Sequence, residues 1–154
     1  MPFYSKKTYS HNAGLSCVFR QHRAKSHCRF LHGYAIKVEL VFGSTGLDEN
    51  GWVQDFGGLK ELKNWLEMMY DHKVMVAADD PMLPHFMALA VQGLAELSIL
   101  DNGVGCEAFA EHIFHYADKL VRDQSDKRVF VMQVNVAEHE GNSATFIRPF
   151  PAED

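Results

Sequence analysis

Apolar and polar positions alternate most clearly over residues 33–43. Tyr34, Ile36, Val38, Leu40 and Phe42 fall on one side, and Ala35, Lys37, Glu39 and Val41 on the other. That period of two predicts a strand. Residues 128–137 repeat it, with Phe130, Met132, Val134 and Val136 on one face and Val129, Val131, Gln133 and Asn135 on the other. Glu138 has the parity of Val134 and Val136. Residues 3–10 read as a strand from Phe3, Tyr4, Thr8 and Tyr9, and 144–147 as a last short strand after the Gly141-Asn142 turn. Trp52-Val53-Gln54 reads as an extended piece pairing back across the turn at 43–51.

Helical spacing appears three times. Asp55 is placed to cap a helix whose apolar stripe is Leu59, Leu62, Leu66 and Met69, with Trp65 beside it. Pro81 to Leu97 predicts a second helix, with Phe86, Leu89, Ala90, Leu94 and Leu97 inward. Residues 105–121 predict a third, with Phe109, Ile113, Tyr116 and Leu120 inward. Residues 73–80 read as extended and then polar, and Ser98-Ile99-Leu100 is compatible with extended chain. Residues 15–31 show no period and read as a long loop, which is uncommon unless functional. Strands, then helices, then strands predict a single α+β domain over 1–154, an antiparallel sheet with helices on one face.

Composition narrows the function. The chain has 154 residues, 47% apolar and 23% charged, as an ordinary globular protein does. A net charge of −5 argues against nucleic acid as a partner. An anionic small molecule could still meet Arg20, Arg23, Lys25 and Arg29. No apolar run reaches membrane-spanning length, and Lys6-Lys7 is not followed by a signal-like apolar stretch. The three cysteines, Cys17, Cys28 and Cys106, lack CxxC spacing and fit reduced thiols of a cytoplasmic protein.

The candidate chemistry centres on the stretch from Ser26 to Tyr34. There Cys28 precedes His32 by four residues, and His32 leads through Gly33 into the strand. A reactive group on a loop beside a rigid strand is a common active-site layout, although a small buried Cys and a hydrogen-bonded His would look the same. Asp71 and His72 adjoin at a helix end, where they could orient each other or sit in solvent. Cys106 and Glu107 fall in a first helical turn, where the dipole lowers a thiol pKa and favours a carboxylate. Glu138 at the end of an apolar strand face is costly unless it meets a partner or a ligand.

In order along the chain, these segments resemble the 6-pyruvoyltetrahydropterin and 6-carboxytetrahydropterin synthase family. Cys28 with His32-Gly33-Tyr34 resembles its Cys followed by His-Gly-His. Gly51-Trp52-Val53-Gln54-Asp55-Phe56 resembles Gly-x-Val-x-Asp-Phe, Tyr70-Asp71-His72 its Leu-Asp-His, Cys106-Glu107 its Thr-x-Glu segment, and Glu138 its strand-end Glu. The resemblance runs from Tyr9 to Ile147. It implies a tunnelling fold, whose four-stranded antiparallel sheets join into oligomeric barrels, usually trimers stacked as hexamers. It also implies a lyase acting on 7,8-dihydroneopterin triphosphate in pterin or queuosine-type deazapurine biosynthesis. Cys28 would be the acid/base thiol, Asp71 and His72 the pair tuning it, Glu138 the pterin anchor, and Cys106 and Glu107 further pterin contacts.

The family holds zinc with three His, one in a Phe-x-Ala-x-His pattern and two in His-Gly-His. Here the alignment puts Leu15 and Tyr34 at two of the positions, so only His32 survives, with His11, His27, Cys17 and His22 near enough in sequence to rebuild a site. Retention of the thiol, the pair and the Glu favours an enzyme. Loss of metal positions favours a degenerate member that binds a pterin or purine-like ligand, or an assembly module.

Overall fold

The computed structural model describes residues 2–149, so the expected 1–154 domain extends past them at both ends. Among the described residues, eight strands and three α-helices follow one another. Strands β1 (Phe3–Tyr9), β4 (Lys37–Ser44), β7 (Val129–His139) and β8 (Asn142–Ile147) form an antiparallel sheet in the order β1-β4-β7-β8. Helices α1 (Lys60–Tyr70) and α3 (Cys106–Gln124) pack with this sheet in one core. That is the expected α+β arrangement.

The extended pieces expected at 73–80 and 98–100 belong to a second four-stranded sheet, whose assembly was not legible in the sequence. It has the order β3-β2-β5-β6, from β2 (Ser16–Phe19), β3 (His32–Ala35), β5 (Lys73–Ala77) and β6 (Leu97–Leu100). β2 lies inside the stretch read as loop, and four residues are too few to show a period. It runs antiparallel to β3 and parallel to β5. The single strand expected over 33–43 is therefore two strands. The chain leaves one sheet at Ala35 and enters the other at Lys37, and the Ile36 N–H donates to the Leu15 carbonyl at 3.0 Å.

Three further expectations change. Val41 pairs with Gln133 and Phe42 with Val131, so Met132 is an extra residue. This β-bulge reverses the alternation, and Val129 and Val131 join Val134 and Val136 in the core. Trp52–Gln54 forms no strand. It closes an Asp48 turn, in which Oδ1 accepts from the N–H groups of Asn50 and Trp52 at 2.9 and 2.8 Å. Helix α2 covers only Leu83–Val91, ending where Gly93 takes φ +76° and the Leu94 N–H returns to the Leu89 carbonyl. Only Phe86 of its expected stripe is buried, and Leu89 and Leu94 face outward.

The α3 stripe is also rotated. Phe109 and Ile113 are buried as expected, but Ala110, Phe114, Ala117 and Val121 complete the face, while Tyr116 and Leu120 sit at its margin. At that margin Trp65 of α1 stacks on Tyr116, with centroids 3.9 Å apart.

Below them the fully buried Tyr70 hydroxyl donates to His112 Nδ1 at 2.6 Å. Burial, and then the neighbouring His115, lowers the His112 pKa below its ordinary value. The folded state thus favours neutral His112, whereas the unfolded state protonates it at about pH 6.5. The stabilisation is complete above that pH and is lost as pH falls toward the folded value. Urea unfolding at pH 7.5 and 5.5 should show this loss in the parent and a smaller one in a Tyr70→Phe/His112→Leu double variant. Tyr70→Phe alone should cost about 1–3 kcal/mol, because His112 Nδ1 loses its donor.

Candidate functional site

The stretch 20–31 is held by a few strong contacts. Arg20 Nε and Nη2 donate to the two Asp80 oxygens at 2.9 and 2.6 Å, and Asp80 is 4% exposed. The Gln21 N–H donates to the Cys28 carbonyl at 2.9 Å, while Gln21 Nε2 donates to the Val104 carbonyl at 2.7 Å, just before α3. Cys28 lies in a single 3-10 turn, His27–Arg29, capped by Ser26. Of the four basic residues, Arg20 pairs with Asp80 and Arg23 with Asp79. Arg29 donates to the Lys25 and Ser26 carbonyls and lies over the Phe30 ring. Much of this basic cluster therefore holds the loop together.

Asp71 and His72 close α1 against β2. His72 has φ 56°, a left-handed conformation uncommon outside glycine. That turn sends its N–H to the Ser16 carbonyl at 2.7 Å. Asp71 Oδ1 accepts from the Ser16 N–H at 3.3 Å and from His72 Nδ1 at 2.8 Å. A carboxylate only accepts, so Nδ1 carries a proton, and in the neutral ring the lone pair falls on Nε2. The His72 side chain is 86% exposed. Among the described residues, no hydrogen bond or ion pair joins this pair to Cys28.

Glu138 bears electrostatically on both Tyr34 and Cys106, the first residue of α3. The Tyr34 phenol is held above its ordinary pKa by burial first, then by the charge and hydrogen bonding of Glu138, with smaller pushes from Cys28 and Cys106. Glu138 itself is half-buried and lies where the pairing of β7 with β8 shifts register between Ala137 and His139. Cys106 departs from expectation. Burial, then Glu138 and Glu107, pushes its thiol up to about 12, and this outweighs the helix dipole. Glu107 is exposed in the same turn.

The donors expected for a metal do not assemble. Among the described residues no three His, Cys, Asp or Glu side chains come together as a metal-holding group. His32 donates Nδ1–H to the Phe30 carbonyl at 2.7 Å. His11 Nδ1 donates to the Ala35 carbonyl at 2.5 Å, and its Nε2 lies 3.7 Å from Glu140. His27 is exposed. Leu15 precedes β2 and is buried in the core, so it does not occupy the position facing His32. The strand register gives that position to Phe19. Phe19 was missed because its strand lies in the unpatterned stretch.

Removing Asp80 should loosen the thiol loop. Burial raises the Asp80 pKa, but hydrogen bonds from Arg20 and the Met82 N–H outweigh it and leave the carboxyl below its ordinary value. Its stabilisation is therefore complete above about pH 3.9 and is lost as pH falls through the folded value. Asp80→Ala should cost about 3–5 kcal/mol in urea unfolding, because Arg20 is left unpaired. It should also speed labelling of Cys28 by a thiol reagent.

Known proteins give three comparisons. The profile of the 6-pyruvoyl tetrahydropterin synthase family matches residues 8–149. A 6-carboxy-5,6,7,8-tetrahydropterin synthase of Rickettsia typhi is 37% identical over 57 residues, 36% of this chain and 41% of that protein. The matched stretch thus spans under half of that relative's length. The enzyme of the same name from Aquifex aeolicus is 25% identical over 71% of this chain and 68% of its own. Among solved structures, an uncharacterised Wolinella succinogenes protein superposes with a TM-score of 0.81 at 18% identity, covering 97% of this chain and 99% of its own. Plasmodium vivax 6-pyruvoyl tetrahydropterin synthase gives 0.66 at 16% identity, over 96% and 99%. These two likenesses concern the fold.

Proposed function

Since the chain belongs to the 6-pyruvoyl tetrahydropterin synthase family and shares its tunnelling fold, we propose that it is a lyase of the 6-carboxytetrahydropterin synthase type, acting on 7,8-dihydroneopterin triphosphate in pterin or queuosine-type deazapurine biosynthesis. The observation that carries this reading is Glu138. A carboxylate at the inner end of β7, beside a phenol and the first turn of α3, is an anchor that a flat heterocycle with adjacent N–H groups can use. In this reading Glu138 accepts from the pterin ring, with Cys106 and Glu107 lining its edge. Cys28 moves the proton on the substrate side chain. Asp71 fixes the His72 tautomer, so that Nε2 can take the thiol proton.

Among the described residues the pair and the thiol share no hydrogen bond or ion pair, and a site completed between copies would bring them together. Sheet edges support the same idea. β1 and β8 are the outer strands of the larger sheet, and Phe3, Tyr4 and Ile147 on them are about half exposed. A cleft of about 480 Å³ runs beside β1, rimmed by Phe3, Tyr4, Trp52 and Phe56. An uncovered edge of this kind is normally paired or protected. Homo-oligomers, as trimers or hexamers joined edge to edge, satisfy this requirement. Light scattering at micromolar concentration should return a multiple of the chain mass, and a monomer would overturn the assembly.

The purified protein should convert 7,8-dihydroneopterin triphosphate. Cys28→Ala should lower turnover by about 10²-fold or more while leaving pterin affinity nearly unchanged. Glu138→Gln should act first on affinity, weakening it about 10- to 100-fold, because a charged acceptor of two N–H groups is lost. A Cys28→Ala variant as fast as the parent would refute the mechanism. A parent that binds pterin without turnover would instead be the degenerate binding member.

A further inference from the structure

The two residues of β3 that carry the His-Gly-Tyr motif face β2 residue by residue. Phe19 lies opposite His32 and Cys17 opposite Tyr34. Directly opposed residues project to the same side of the sheet. There the rings of Phe19, His32 and Tyr34 close a triangle, with centroid separations of 5.0, 6.1 and 5.6 Å. Phe19 is 1% exposed and is pinned edge-on by Phe109 of α3, 5.2 Å away. Gly33 lets the strands approach this closely, since a Cβ there would lie 2.9 Å from the Cys17 carbonyl oxygen.

A metal held from this hairpin would draw on the same three ring positions. One side chain there has no donor atom, one is a neutral phenol, and one is imidazole. Fixed aromatic contacts fill the space. Tyr34 has a further neighbour: its ring lies 6.1 Å from that of His139, the residue that follows Glu138 at the end of β7. It therefore stands beside the end of β7 that carries Glu138, where the side chain of a substrate anchored there would pass.

We propose that this site works without a resident metal ion, and that the Tyr34 hydroxyl takes its place as the fixed hydrogen-bond donor to the substrate's side-chain oxygen. The identity of that oxygen rests on the lyase reading above, whereas the metal-free ring triangle does not. When the pterin N–H groups engage Glu138, the phenol turns its O–H to the substrate oxygen. The proton stays on Tyr34, and no bond to it forms or breaks. A preorganised donor aimed at developing negative charge is worth about 10²–10³ in rate.

The full chain, purified without chelator, should carry less than about 0.1 zinc per chain by elemental analysis and show no saturable heat on titration with zinc chloride. A Phe19→His/Tyr34→His double variant, which sets two further imidazoles beside His32, should take up about one zinc per chain. A parent that holds stoichiometric zinc and loses it in His32→Ala overturns the proposal, as does a folded double variant that binds none. If the double variant does not fold, the parent's own zinc content decides. Tyr34→Phe should lower turnover about 10²–10³-fold, with neopterin affinity and thermal midpoint nearly unchanged. Turnover equal to the parent's would remove the donor role. A parent inert toward dihydroneopterin triphosphate would refute the lyase reading, and the zinc measurements would still decide whether the ring triangle excludes a metal.

Discussion

The passage of one continuous backbone through two sheets at Ile36 is the constraint on which the site depends. Residues 32–35 pair with β2 and residues 37–44 pair with β1 and β7. The handover keeps the Ile36 N–H paired, because it finds the Leu15 carbonyl at 3.0 Å. Ile36, Val38, Leu40 and Phe42 are all fully buried, and each such side chain is worth about 1.5–3 kcal/mol against exposure. Sliding this segment by one residue would turn that row outward. The core therefore fixes the register of β4, and through it the position of Tyr34 opposite the end of β7. The polar site takes its geometry from apolar packing.

What could be read from the residues follows the same division. The larger sheet was legible because its strands are long and half-buried, so that period two shows. α1 and α3 were legible through their apolar stripes. The assembly of the smaller sheet was not. β2 and β6 have four residues each, and β2 pairs with β5 across more than fifty positions of sequence. The bulge at Met132 was hidden as well, since strict alternation gives no sign of an extra residue. The misread second helix shows the opposite error. Its apolar composition suggested burial, yet Gly93 ends it early and only Phe86 reaches the interior.

For the candidate site, local sequence names residues and not their relations. Cys28, Asp71, His72, Glu138 and Glu107 were all nameable. That Asp71 would hold His72 Nδ1, with Ser16 completing the turn, required knowing that β2 exists. Cys106 illustrates a contest of two effects at one position. A first-turn thiol gains from the helix dipole, typically by 0.3–1 kcal/mol at an exposed site. Burial beside two carboxylates works against the thiolate and outweighs that gain, so this cysteine stays a thiol.

The stretch from Val76 to Gly103 binds the two halves of the site into one body. At its start, Asp79 and Asp80 hold Arg23 and Arg20, which order the loop carrying Cys28. Toward its end, Glu96 pairs with Lys73, the residue after His72, and β6 pairs with β5. The Lys73 hydrogen bond and charge, with a smaller pull from His72, hold the Glu96 carboxyl below its ordinary value. An exposed pair of this kind adds little stability by itself. Its position matters more, because Glu96, Lys73 and His72 line one shallow cleft with Cys17 and Gly33. One segment thus braces the thiol loop from one end and the imidazole from the other. Both candidate groups are thereby tied to β5, which lies between β2 and β6. The segment's bracing of the two candidate groups is set by where its acidic residues fall and not by its apolar helix.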